Sequence, residues 1–158
     1  MNEWITQLYQ YNVWANDRVL QHLQSLPANL FHQEVDLGFR SIAEAVGHLA
    51  AADEVWFARI QEQAPPPLSA RVFSDVEEAR RHRDELQSRM RLFLSNTDVQ
   101  KRVTYSNTAG QSFTNSIAEI IQQVVNHGTY HRGNVTTILR SLGYNGTMTD
   151  FIAFIRTL

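Results

Sequence analysis

Apolar residues recur at intervals of three and four through residues 117–142, and this pattern constrains the fold more than any other feature of the chain. Such spacing places its members on one face of an α-helix. The face comprises Ile117, Ile120, Ile121, Val124, Gly128, Val135, Ile138, Leu139 and Leu142. A continuous apolar face of this length is stable only when it is buried. The pattern therefore predicts a long helix packed into a core.

Serine–glutamate pairs three residues apart precede three helical patterns, and they are typical of capping boxes. In such a box the serine side chain accepts a hydrogen bond from the third helical N–H, and the glutamate reaches back to the serine N–H. The pairs are Ser41 with Glu44, Ser74 with Glu77, and Ser116 with Glu119. Each pair predicts the start of a helix.

The remaining patterns complete an all-α prediction. Helices are predicted over about residues 2–25, 41–64, 74–95, 116–142 and 149–157. The segment 99–113, rich in Thr, Val and Tyr, predicts a short hairpin or an extended cover. Charged residues 80–83 are predicted to face solvent. We therefore expect one domain, 1–158, folded as a four-helix bundle with a short hairpin and a short C-terminal helix.

Composition excludes several classes of function. The chain has no cysteine, so disulfides, thiolate ligands and a cysteine nucleophile are absent. The net charge is −2 and the sequence has no Lys/Arg cluster, so no positively charged surface is expected that would bind nucleic acid or an anionic membrane. No signal peptide is readable, and no stretch approaches the ~20 apolar residues of a membrane span. We expect a soluble, cytoplasmic protein that binds neither nucleic acid nor membrane.

Two histidines lie four residues apart within the apolar pattern of the last long helix. This separation rotates a side chain by only about 40° and advances it by about 6 Å, so His127 and His131 share one side of the helix. Buried imidazoles need partners for their ring nitrogens. A shared metal ion meets that need, and hydrogen-bonded core or interface histidines are the alternative.

His48 is the best candidate for a third ligand. It lies in the second helical pattern, beside the predicted inward stripe of Ala45, Leu49, Ala52 and Trp56. His48 follows its capping serine by seven residues, whereas His127 and His131 follow theirs by eleven and fifteen. These offsets lie within about 80° of one another on a helix, so all three imidazoles can face the core.

Three stretches together resemble a known family. They are residues 11–16 (YNVWAN), the His48-Leu49 helix ending near Trp56, and residues 127–134 (HGTYHRGN). The chain resembles, over nearly its whole length, the DinB/YfiT-like family of four-helix-bundle proteins, which are unrelated to the DNA polymerase of similar name. The resemblance implies that His48, His127 and His131 bind one divalent metal ion. It also implies a homodimer, and for some relatives a transferase or isomerase activity with a low-molecular-weight thiol as cosubstrate.

One position departs from the family pattern. Asn134 stands where the family often has glutamine, and its shorter amide reaches less far. The ligands themselves are intact. Three neutral imidazoles suit zinc or nickel, with iron, manganese and copper also open, and they leave a coordination position free.

The free position permits two chemistries, activation of water or binding of a small thiol. Gly128 follows the first histidine of the pair where zinc proteases carry glutamate, which argues against protease chemistry. The Glu-x-x-His pairs of di-iron bundles are missing from both histidine helices. Sulfur would have to come from an external thiol, because the chain has no cysteine.

Four further residues are candidates for the site. Asp53 can accept a hydrogen bond from a ligand imidazole or act as a general base. Tyr130 can donate a proton or pack between helices. Trp56 can line a substrate pocket or belong to the core, and Arg132 can hold an acidic substrate group or form an ion pair with Asp53.

Two classes of function follow. The first is a metal-dependent enzyme, a thiol-dependent transferase or a hydrolase, acting on a small electrophile in stress defence or detoxification. The second is a non-catalytic, metal-binding dimeric bundle of a stress response. An enzyme is expected to keep a cleft at the metal with Trp56, Arg132 and Asp53 at its mouth, whereas a structural site is filled by side chains.

Overall fold

A computed structural model of the chain describes residues 2–158, with side chains from Glu3 onwards. Four long helices, a two-stranded hairpin and a short helix follow one another along the chain. They are α1 (Asn2–Gln24), α2 (Ile42–Ile60), α3 (Val76–Ser95), β1 (Arg102–Ser106), β2 (Ser112–Ser116), α4 (Ile117–Ser141) and α5 (Phe151–Ile155). The predicted all-α fold with a small hairpin is confirmed. None of the helices between residues 2 and 158 has both the length and the apolar character that a membrane crossing needs.

The four long helices form a bundle with a polar layer across its middle. Helices α3 and α4 each pack against both α1 and α2. One apolar cluster includes the N-terminal half of α1 and the start of α4, and a second includes the start of α2 and the end of α4. Buried polar side chains lie between the clusters along each helix. They include Asn12 and Asn16 on α1, Asp53 on α2, Arg83 on α3, and His131 and Arg132 on α4.

Side-chain caps fix where the long helices begin. The hydroxyls of Ser41 and Ser116 accept the predicted backbone N–H bonds, and Ser116 forms a complete capping box. The third box is displaced by one residue from its predicted place at Ser74. Asp75 caps α3 by accepting from the N–H of Glu78, whose carboxylate in turn accepts from Ser74. An aspartate is as good an N-cap as a serine, so the sequence offered two adjacent caps.

The hairpin leads directly into the helix that carries the histidine pair. Its strands are antiparallel, with Arg102 opposite Ser116 and Ser106 opposite Ser112. Gly110 has a φ of 79°, which glycine adopts without steric cost, in the turn between the strands. Ser116 ends β2 and caps α4, so the hairpin fixes the N-terminal end of α4.

Gly128 allows α4 to approach α1 in the polar layer. A Cβ at this position would lie 2.5 Å from Oδ1 of Asn12 and 2.9 Å from Nη1 of Arg132. These two buried atoms form a hydrogen bond with each other. We expect Gly128→Ala to destabilise the protein, because overpacking costs about 1–3 kcal/mol and exceeds the gain in helix propensity of about 1 kcal/mol. Urea unfolding measures the difference.

Gly133 supplies the matched control on the same helix. A Cβ there meets nothing within 4 Å, so Gly133→Ala is expected to stabilise the protein by up to about 1 kcal/mol. If the two variants are equally stable, the close approach at Gly128 does not constrain the packing of α4.

Candidate metal centre

Three histidines from two neighbouring helices meet in the polar layer. His48 comes from α2, and His127 and His131 come from α4. One ring nitrogen of each residue lies within 4.8 Å of those of the other two. His131 is buried, and the other two are partly buried. Packing of α2 against α4 therefore assembles the three imidazoles that the sequence predicts as ligands.

The ring nitrogens of the α4 pair have different surroundings. Nε2 of His127 and Nε2 of His131 lie 2.9 Å apart, so these atoms face each other. The Nδ1 atom of His131 accepts a hydrogen bond of 3.1 Å from the amide of Asn134. The Nδ1 atom of His127 is buried and has no partner among the described residues. Asn134 thus reaches the ligand ring despite being shorter than glutamine.

Burial keeps the α4 pair uncharged at neutral pH. It lowers the pKa of His131 to about 4, and the neighbouring imidazoles of His127 and His48 act in the same direction. The pKa of His127 is also lowered, first by burial, with Asp53 acting in the opposite direction. Neutral imidazoles offer lone pairs to a metal ion. Three close, uncharged nitrogen donors fit a divalent ion such as zinc or nickel.

A cleft of about 390 Å³ opens beside two of the histidines. Its walls come from the loop before α2, from His48, and from the exposed side of α4. The lining residues are Leu37, Gly38, Phe39, His48, Tyr130, His131, Asn134, Thr137 and Ile138. The Phe39 ring lies 5.4 Å from the rings of both His48 and His131. Among the described residues, no Asp, Glu, Lys or Arg lines this cleft.

A family model described as the DinB family matches residues 1–157. The chain belongs to the DinB family. Protein DinB of Bacillus subtilis (strain 168) is 31% identical over 163 residues, which cover 96% of this chain and 93% of that protein. The crystal structure of a DinB-like protein from Bacillus cereus ATCC 10987 superposes with a TM-score of 0.70 at 16% identity, covering 92% of this chain and 95% of that one. The second likeness concerns the fold alone.

Of the further site candidates in this DinB-family chain, the structure brings one to the cleft. Tyr130 lines the cleft with 69% of its surface exposed, and its ring packs edge-on against His131. It does not pack between helices. The side chain can therefore contact a molecule bound in the cleft.

Arg132 faces α1 and does not line the cleft. Its guanidinium is buried and donates hydrogen bonds to Oδ1 of Asn12 and Asn16, at 2.8 and 2.9 Å, and to Thr129 at 2.9 Å. Because Arg132 is not among the residues that line the cleft, the lining does not support its predicted contact with a substrate. The reason is geometric, because neighbouring helical residues point about 100° apart and His131 already faces the cleft.

Trp56 lies near the hairpin, away from the cleft. It packs against Tyr105 with ring centroids 5.5 Å apart, and the guanidinium of Arg59 lies 4.5 Å above it. Eight residues beyond His48, it is displaced by about 12 Å along α2. The predicted contact of Trp56 with a substrate likewise has no support in the cleft lining.

Asp53 forms a buried ion pair with Arg83 rather than with Arg132. One carboxylate oxygen lies 2.6 Å from Nη1 of Arg83, and both residues are only 5% exposed. The prediction that residues 80–83 all face solvent is therefore wrong for Arg83. The signal was present in the sequence, since Arg83 continues the three- and four-residue spacing of Val76, Ala79, Leu86 and Met90.

Two contributors to the site do not follow from the sequence patterns. Phe39 has no predicted role, because periodicity says nothing about how an irregular loop folds over a helix. The amide of Asn134 stands out in the sequence only as a departure from the family. Its spacing of three residues from His131 is nevertheless one at which helical side chains meet.

Proposed function

We propose that this DinB-family protein is a divalent-metal-dependent enzyme that transfers a small thiol to an uncharged electrophile. His48, His127 and His131 would hold the ion, which supplies a free coordination position for activating a thiol, or water, when it is bound. The observation that carries the proposal is the cleft of about 390 Å³ lined by His48 and His131. A purely structural site would be closed by side chains.

The cleft lining favours an uncharged, partly apolar substrate. Leu37, Phe39 and Ile138 supply apolar surface, and Asn134 and Thr137 supply the polar groups. No side chain carrying a permanent charge lies in this lining, within the part of the chain that is described. A charged substrate would lose its hydration there without gaining a partner.

The same lining suits a thiol as the nucleophile. Its apolar residues can pack against the carbon chain of a thiol, which ionises with a pKa of about 8.5 when free, and no carboxylate of the described residues lies in the lining to repel the thiolate. In the reaction the sulfur forms a bond to the electrophilic carbon as the bond from that carbon to the leaving group breaks. The leaving group keeps the bonding electrons, and the thiol proton passes to solvent. The hydroxyl of Tyr130 can donate a hydrogen bond to the departing group.

Turnover with uncharged probes tests this function. We expect the zinc- or nickel-loaded protein to accelerate the reaction of 2-mercaptoethanol with 1-chloro-2,4-dinitrobenzene, followed by absorbance. His48→Ala is expected to return the rate to background. Phe39→Ala is expected to raise KM about tenfold, because the substrate loses a large apolar contact worth about 1.5 kcal/mol.

His32→Ala is the matched control. The imidazole of His32 contacts the backbone oxygen of Ser74 and lies outside the cleft lining, so its removal leaves the rate unchanged. Background rates with zinc, nickel, manganese and iron alike would contradict the proposal. Hydrolysis of 4-nitrophenyl acetate without any response to thiol would reassign the enzyme to water activation.

A further inference from the structure

We propose that Asp53 is a positioning residue, which accepts a hydrogen bond from His127 and holds that imidazole in its metal-binding tautomer. The inference deepens the proposed function, since it rests on the same three-histidine site. It concerns a residue that does not line the cleft and that is occupied on one side by Arg83.

The hydrogen bonds around the α4 pair determine which nitrogen of His127 carries the proton. Asn134 donates to Nδ1 of His131, so the neutral His131 ring carries its proton on Nε2. That Nε2 lies 2.9 Å from Nε2 of His127 and donates to it. His127 must then carry its own proton on Nδ1, because a neutral imidazole has only one.

This Nδ1–H group lies on the other side of the ring from the Nε2 that faces His131, and it lacks an acceptor among the described residues. Nδ1 of His127 is buried and unpaired, and so is Oδ1 of Asp53. The first group is a donor and the second an acceptor, and they belong to helices α4 and α2, which pack together. A hydrogen bond between them satisfies both, and leaving either unmet costs about 1–3 kcal/mol. Since neither atom is bonded in the structure, the contact requires a shift of one of the side chains.

The carboxylate of Asp53 is bound through only one of its two oxygens. Arg83 holds this oxygen, Oδ2, at 2.6 Å, which leaves Oδ1 to accept from another donor. Ligand histidines commonly donate their second ring N–H to such a carboxylate, which orients the ring and makes it a stronger ligand.

Other buried donors are alternative partners for Oδ1 of Asp53. The amide nitrogens of Gln87 and Asn16 and Nε of Arg132 are buried and have no partner among the described residues. None of these residues can determine the tautomer of His127, so the position of the imidazole proton distinguishes the proposal from a purely structural role of Asp53.

The two α4 ligands differ in what metal binding requires of them. His127 already presents a lone pair on Nε2, the atom that faces His131. His131 carries a proton on Nε2 and must move it to Nδ1, where Asn134 accepts it after its amide reverses. Asp53 thus preorganises one ligand, and Asn134 accommodates the change in the other.

Nitrogen-15 NMR of the histidine rings, combined with zinc titration, tests the proposal. In the wild type we expect His127 to be protonated on Nδ1, both with and without zinc. In Asp53→Asn the amide can donate to Nδ1, so the Nε2-protonated form is expected to appear and zinc affinity to fall by about 10–100-fold. Chelator competition measures the affinity.

Glu54→Gln is the matched control. Glu54 is the next residue on α2, but its carboxylate contacts Arg71 and His82 instead. Its replacement is expected to leave the His127 tautomer and zinc affinity unchanged. A wild-type His127 protonated on Nε2 would overturn the role of Asp53, and so would wild-type zinc affinity in Asp53→Asn. A wild-type protein that binds no zinc overturns the proposed function, and the His127 tautomer still decides the role of Asp53.

Discussion

Replacement of His127 by alanine is expected to abolish stoichiometric binding of a divalent metal and to leave the bundle folded. His127 contributes one of three ring nitrogens within 4.8 Å of one another, and only two imidazoles remain without it. Loss of a residue that hydrogen-bonds to a metal-binding side chain weakens metal binding by up to about 100-fold. Loss of a side chain that binds the metal directly should therefore weaken it by more than about 100-fold. Chelator competition measures the affinity, and circular dichroism checks the helical content.

His22→Ala controls for the general effect of removing an imidazole. The His22 ring contacts the backbone oxygen of Asn145 and is not part of the three-histidine cluster. The variant should bind the metal as tightly as the wild type. If His127→Ala still retains a full equivalent of metal at wild-type affinity, the three histidines are not the binding site.

Replacement of Arg83 by leucine is expected to destabilise the protein by about 3–5 kcal/mol. The substitution leaves the carboxylate of Asp53 buried without its cation, at a position where the two side chains are only 6% and 7% exposed. Urea unfolding followed by circular dichroism gives the free energy of unfolding. The same variant releases Asp53 from its orientation, so zinc affinity should fall with stability.

The exposed ion pair between Arg40 and Glu34 is the matched comparison. Its side chains are 74% and 78% exposed, and water screens the pair. Arg40→Leu should therefore change the free energy of unfolding by no more than about 1 kcal/mol. Equal effects of the two substitutions would show that burial of the Arg83 pair does not determine its contribution.

The helices and the clustering of the three histidines can be predicted from the sequence, because the signals that determine them are local. Apolar spacing and serine caps are local signals, and α4 carries both without interruption from its cap at Ser116. Helical residues four apart share a face, so their spacing alone pairs His127 with His131. His48 joins them because its offset from Ser41 places it on the inward side of α2.

Contacts that depend on how helices rotate and on how loops fold are not predictable in the same way. Arg132 and Trp56 are close in sequence to ligands, but helical rotation directs Arg132 to α1 and distance along the axis carries Trp56 to the hairpin. The charge of Arg83 favours solvent, whereas its position on the apolar stripe favours the interior, and position prevails because Asp53 supplies a partner. Phe39 reaches the site from irregular backbone, which has no period to interpret.

Metal-edge X-ray absorption on untagged protein loaded with zinc is the most direct test of the central claim, that His48, His127 and His131 together hold one divalent ion. The structure predicts a spectrum that fits three imidazole nitrogens and one further nitrogen or oxygen donor, with about one ion per chain. A zinc ion with fewer than three imidazoles, or a protein that takes up no zinc, would contradict the claim.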